Sequence, residues 1–144
     1  MQLLKLHISI LASLFFFMSA SAQADDVQEI KWMDYEDARA SNSSKPIFVF
    51  AEMAFCSACK KMKEDVFVLD DIAATLNNDF IPVRMHTLGI FPNKLSDLRD
   101  ENGDELTLEG SPGFVIIKDE QYSVFYGFQS ADTLRKVFQM VLND

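Results

Sequence analysis

Residues 46–62 read PIFVFAEMAFCSACKKM, and this stretch decides the fold. Its first part, Pro46 to Ala51, is an unbroken β-branched and aromatic run, the mark of a strand buried on both faces. From Cys56 to about Phe67 the pattern turns helical. Met62, Val66 and Phe67 fall on one side, and Lys60, Lys61, Lys63, Glu64 and Asp65 on the other. A buried strand therefore runs into a helix where the only two cysteines of the chain stand, Cys56 and Cys59. Such a pair can be a redox couple, half a metal site or a structural bridge. A bridge closing so small a loop constrains an unfolded chain little, which favours chemistry over stapling.

The physics of the pair supports disulfide exchange. The thiolate is the nucleophile, so the reactive sulfur needs a depressed pKa. Cys56 falls at the helix start, where unpaired N–H groups and the positive end of the dipole favour the ionised sulfur. Cys59 follows one helical turn later, near enough to resolve a mixed disulfide and expected to be the less exposed of the two. Lys60 and Lys61 add positive charge nearby.

Working outward, Val27 to Trp32 reads as a short strand. Asp34 can cap a helix from Tyr35 to about Ala40, which the SNSSKP segment breaks. Asp70 or Asp71 caps a helix through Leu76, and Phe80 to Met85 is a second buried strand. Pro92 can open a helix with Leu95 and Leu98 inward, ended by ENG at 101–103. Phe114 to Ile117 and Ser123 to Tyr126 form a hairpin around KDEQ. Ser130 caps a last helix through Leu142, with Leu134, Val137, Phe138 and Val141 on its apolar stripe. This order predicts an α/β fold, a central mixed β-sheet flanked by helices on both faces.

The chain has 144 residues, 49% of them hydrophobic, which suits one domain with its own core. Its formal net charge of −9 disfavours nucleic acid and anionic membranes as partners, since both would repel it. Residues 1–24 read as a signal peptide: Lys5 in a polar start, an apolar run from Ile8 to Met18, then SASAQA. Cleavage after Ala24 leaves residues 25–144 as the mature domain, with Ala22 as the alternative site. The apolar run is too short to span a bilayer comfortably, so the expectation is a soluble, periplasmic protein.

Three segments together resemble the thioredoxin-like superfamily. They are PIFVFAEMAFCSACKKM, EGSPGFVIIKD at 109–119 and GFQSADTLRKVFQMVL at 127–142, in that order. The stretches WMDYEDARASNSSKPIFVF and VFVLDDIAATLNNDFIPVRM resemble, more narrowly, the small exported thioredoxin-like thiol:disulfide oxidoreductases of bacteria. The resemblance implies a thioredoxin-like fold in which Cys56 attacks a partner disulfide and Cys59 resolves it. It also implies a cis peptide between Ser111 and Pro112, with Phe55, Ser111 and Pro112 forming the substrate-binding surface. The reaction would need no dissociable cofactor. Its partners would be protein disulfides or dithiols and a redox partner protein, membrane-bound, with the chain itself a monomer.

The departures from the family pattern are specific. Phe55 stands where tryptophan is usual, and Ser57-Ala58 separates the cysteines. Phe50 stands where the thioredoxin pattern has a buried acid, and Gly113 follows the proline in place of threonine, which would widen the groove. Glu52 is the nearest carboxylate and a candidate proton relay for Cys59. The competing reading makes it a solvated strand-end charge, because glutamates are seldom buried unpaired. Two other functions stay open. Met53, Met62, Met85 and His86, with the cysteines, have the soft character that suits Cu(I) delivery. Methionines on apolar faces are usually core filler, however, and zinc would lack ligands, so no metal site is assigned. A non-catalytic binding module on the same fold is the third reading.

Overall fold

The structure is a computed structural model that describes residues 28–88 and 91–144. The expected signal peptide and Val27 lie outside the described residues. Ten elements follow one another: α1 (Tyr35–Ala40), β1 (Ile47–Met53), α2 (Ser57–Lys61, continuing as a π-helical turn over Met62–Val66), α3 (Asp70–Asp79), β2 (Ile81–Thr87), β3 (Asn93–Arg99), β4 (Glu105–Leu108), β5 (Gly113–Lys118), β6 (Gln121–Tyr126) and α4 (Ala131–Asn143). The main sheet has the order β2-β1-β5-β6. β1 runs parallel to β2 and antiparallel to β5, and β6 is antiparallel to β5, so the sheet is mixed as expected. Pro82 sits in β2, an edge strand, where a missing N–H costs no interior ladder bond.

Strand alternation sorts the core into two halves. Phe48 and Phe50 point to one face and pack with Met62 from the π turn, Ile72 and Leu76 of α3, and Leu134 and Phe138 of α4. Phe48 is wholly buried, and its ring lies against those of Phe67, Phe80, Phe114 and Phe138. Ile47, Val49 and Ala51 point to the other face and pack with Tyr35 and Ala38 of α1 and with Leu95, Leu98, Leu106 and Leu108. Helices thus flank both faces, and a β3–β4 hairpin shares the second face with α1.

Two expected elements are corrected. The segment after Pro92 is a strand, not a helix. Leu95 and Leu98 are both buried as the helical reading required, but the register between β3 and β4 shifts between Leu95 and Arg99. That bulge lets two residues three apart face the same way, which a regular strand forbids. The segment before α1 forms no strand over 28–32. Its backbone is held by a side chain instead: Lys31 N–H donates to Asn77 Oδ1 at 2.8 Å, and Asn77 Nδ2 donates to the Glu29 carbonyl at 2.9 Å. Only Met33 makes a bridge to the sheet, at Val83. Helix starts also differ in detail. Asp34 occupies the cap position of α1 without a side-chain cap bond, and Leu69 takes the cap of α3, leaving Asp70 and Asp71 in its first turn. Ser130 caps α4 as expected, accepting from Thr133 N–H.

Candidate active site

β1 delivers the cysteines. The chain leaves the strand at Met53 and places Phe55 at φ 62, fully exposed and in the left-handed region that bulky residues rarely adopt. Cys56 then takes the N-cap position of α2 (φ −78, ψ 102), and its Sγ accepts the Cys59 N–H at 3.0 Å. Cys56 and Cys59 are joined as a disulfide. The two sulfurs sit in different surroundings: Cys56 is partly exposed at the surface, whereas Cys59 is 1% exposed and packs into the helix-side core. The helix widens one turn later, where Phe67 N–H reaches back to the Met62 carbonyl at 2.9 Å. Such π turns recur at functional sites.

β5 delivers the facing loop. Because β5 runs antiparallel to β1, its first residue Gly113 lies opposite Ala51, and residues 109–112 arrive at the sheet end that β1 leaves. The Ser111–Pro112 peptide is cis. Ser111 Oγ accepts the Met53 N–H at 3.0 Å and lies 3.1 Å from Cys59 Sγ. The Pro112 carbonyl accepts Gly127 N–H at 2.9 Å, tying the loop to the end of β6, where Tyr126 and Phe128 are both partly exposed aromatics. Gly113 has a steric reason: a Cβ there would lie 3.0 Å from the Gly110 carbonyl oxygen, too close for an ordinary contact. The missing threonine side chain thus reflects the close approach of Gly110 within the loop.

Glu52 corrects one expectation. It is 2% exposed and so is not a solvated strand-end charge. Lys63 Nζ donates to Oε2 at 2.8 Å and Arg84 Nε to Oε1 at 2.6 Å, so both carboxylate oxygens have cationic partners. Burial pushes its pKa up, but the hydrogen bonds and charges of Lys63 and Arg84 outweigh that and hold it below the usual carboxylate range. Its backbone carbonyl also accepts from the buried Asn93 Nδ2 at 3.2 Å, linking β1 to β3. Lys63 and Arg84 escaped the sequence reading as site residues. The one hint was a charged Arg84 in the otherwise apolar strand FIPVRM.

A cleft of about 380 Å³ opens beside Cys56, lined by Glu52, Met53, Phe55, Cys56, Lys60 and His86 among others. The four soft donors weighed for copper do not converge there. Met53 and His86 reach the cleft, but Met62 is buried with its Sδ accepting Gln129 N–H at 3.3 Å, and Met85 packs against the second core. Among the described residues no group of three or more His, Cys, Asp or Glu is placed to hold a metal ion.

A family profile described as a thioredoxin-like domain matches residues 33–142. A thioredoxin from Thermus thermophilus superposes with a TM-score of 0.57 at 16% identity, covering 78% of this chain and 87% of its own. An oxidoreductase named DsbH gives 0.55 at 19% identity, covering 80% and 85%. A thioredoxin-fold protein from Helicobacter pylori gives 0.53 at 13%, covering 69% and 70%. Among curated proteins none matches.

Proposed function

The chain belongs to the thioredoxin-like domain family, and from that premise we propose that it is a thiol:disulfide oxidoreductase acting on protein disulfides through Cys56 and Cys59. One observation carries the reading: a bonded Cys-Ser-Ala-Cys pair whose first sulfur is accessible at a helix start and whose second is buried. In the reduced chain Cys56 thiolate attacks a partner disulfide, forming a Cys56–partner bond and releasing one partner thiolate. Cys59 thiolate then attacks Cys56 Sγ, forming the intramolecular disulfide and releasing the second. The two electrons pass from the chain to the partner, and the protons shed by the cysteines are taken up by the partner thiolates through solvent. In reverse, a partner dithiol reduces the Cys56–Cys59 bond.

The exposed rings of Phe55, Tyr126 and Phe128 supply apolar surface for an extended polypeptide, and the Ser111–Pro112 loop is tied to the end of β6 through the Gly127 N–H. The DsbH neighbour, itself an oxidoreductase by name, is consistent with this chemistry. The export signal read in residues 1–24 would place the mature domain in the periplasm, as a monomer served by a membrane-bound redox partner. The test is insulin reduction by the mature domain with dithiothreitol. Wild type should turn over, Cys56→Ser should be inactive, and Cys59→Ser should accumulate mixed disulfides because attack survives and resolution does not. Full turnover by both single variants would overturn the assignment. The reduction potential of the couple then gives direction: roughly −270 mV marks a reductant and roughly −120 mV an oxidant.

A further inference from the structure

Ser111 touches both sides of the site, and its hydrogen-bond accounting is constrained. A serine hydroxyl has one hydrogen to give and two lone pairs to accept with. Met53 N–H can only donate, so at 3.0 Å it takes a lone pair of Ser111 Oγ. The hydroxyl hydrogen is left free, and Cys59 Sγ lies 3.1 Å away. In the disulfide that sulfur carries no hydrogen, so the serine is the donor. The other candidates for a polar partner are committed elsewhere. Both Glu52 oxygens are held by Lys63 and Arg84, and the strand position nearer the helix core is Phe50, which is wholly buried. Among the described residues, the side-chain oxygen in hydrogen-bond contact with Cys59 Sγ is that of Ser111.

We propose that Ser111 is a positioning residue for the resolving step: its hydroxyl, oriented by the Met53 N–H, donates to the Cys59 sulfur and stabilises it as a thiolate. This rests on the oxidoreductase reading and deepens it. Cys59 is 1% exposed, and burial in apolar surroundings disfavours the thiolate that must attack Cys56. A hydrogen bond to an ionised sulfur is stronger than one to a disulfide sulfur, so the contact favours the reduced, attacking form. No proton leaves Ser111. The Cys59 proton passes to solvent, Cys59 Sγ bonds to Cys56 Sγ, and the partner sulfur departs with the electron pair. A substrate-facing role for Ser111 alone would leave Cys59 without this donor.

The experiment uses a symmetrical nitrobenzoate disulfide, which frees one yellow thiolate on attack by Cys56 and a second on resolution by Cys59. Stopped-flow traces of the reduced mature domain separate the two releases across a pH series. For Ser111→Ala the second release should slow about threefold relative to the first near neutrality. Losing a hydrogen bond to a charged group cuts the thiolate fraction about tenfold, while the more basic thiolate reacts about three times faster. Its pH midpoint should rise by about one unit. Ser111→Thr, which keeps the hydroxyl, should restore both, and the near-isosteric Ser111→Val should not. This pair also decides the matter if Ser111→Ala does not fold. Equal slowing of both releases, an unmoved midpoint, or equal behaviour of the Thr and Val variants would overturn the inference while leaving the oxidoreductase reading intact. Absence of both releases from the wild type would overturn that reading itself.

Discussion

Replacing Glu52 by glutamine isolates what a buried, doubly paired carboxylate contributes beneath the redox helix. Two charge-assisted hydrogen bonds, from Lys63 at 2.8 Å and Arg84 at 2.6 Å, are at stake. Contacts to charged groups contribute about 1.5–3 kcal/mol each, so their gross value is roughly twice that. Two effects reduce it. The Lys63 and Arg84 side chains are 39% and 40% exposed, so both can rehydrate when the carboxylate is gone. Glutamine also keeps the volume and one acceptor. The net loss near neutral pH should be about 2–3 kcal/mol, below the roughly 3–5 kcal/mol of breaking a fully buried pair. For a domain of this size that is a fall in Tm of about 8–12 °C. The pH dependence supplies the sharper check. The folded pKa of Glu52 is lowered, so its contribution is present above the unfolded value and lost as pH falls through the folded one. Urea melts of both proteins from about pH 7 to about pH 3 should show a gap that holds above the unfolded value of about 4.3 and closes below it. A gap that is constant with pH, or under about 1 kcal/mol throughout as for a solvated pair, refutes the reasoning.

Four further substitutions test other parts of the argument. Phe55→Gly should leave stability unchanged or raise it by up to about 1 kcal/mol, because the ring buries nothing and φ 62 suits glycine. The same variant should slow exchange with protein disulfides more than with small ones, and a loss of Tm would contradict the first half. Gly113→Ala forces a Cβ to within 3.0 Å of the Gly110 carbonyl and should cost about 1–3 kcal/mol in urea melts while slowing exchange. Tyr35→Phe removes the 2.6 Å hydrogen bond to Asp97 that ties α1 to β3, and calorimetry should find about 0.5–1.5 kcal/mol lost with exchange unaffected. Phe48→Ala empties the centre of the aromatic cluster, an expected loss of about 3–5 kcal/mol.

What the sequence disclosed divides along contact range. PIFVFA could be read as a buried strand because both its faces meet core, and Ser130 as a cap because it binds Thr133 within one turn. Cys56 and Cys59 needed only a helix between them. The β3 strand was misread because the bulge before Arg99 gave Leu95 and Leu98 the three-residue spacing of a helix. The segment at 28–32 was misread because its backbone is satisfied by Asn77, 46 residues from Lys31, rather than by a neighbouring strand. The same limit applied at the site. Glu52 looked like a solvated charge because its partners lie 11 and 32 residues away, and nothing local announces them. Ser111 meets Cys59 across 52 residues, a proximity created only when β5 folds back antiparallel to β1.

Those two distant contacts explain how the site manages without an acid at position 50. A strand carboxylate under the second cysteine would need either to stay protonated or to find cations in the core. Phe50 removes that requirement and instead supplies an aromatic wall shared with Trp32, Phe67 and Phe114. The charge reappears two residues along at Glu52, on the same strand face but at the strand end, where Lys63 and Arg84 reach it while keeping part of their own surface in water. The carboxylate is therefore held ionised and neutralised, and a group with a lowered pKa is a weak base near neutrality. Cys59 is left in a dry setting whose polar contact is a neutral hydroxyl. A hydroxyl can stabilise a thiolate without adding a charge that the core must accommodate. Because Ser111 is anchored by the backbone of β1 rather than by a mobile side chain, the donor is in place before the mixed disulfide forms. The cis-proline loop and the Cys59 sulfur are thereby joined through one oxygen atom.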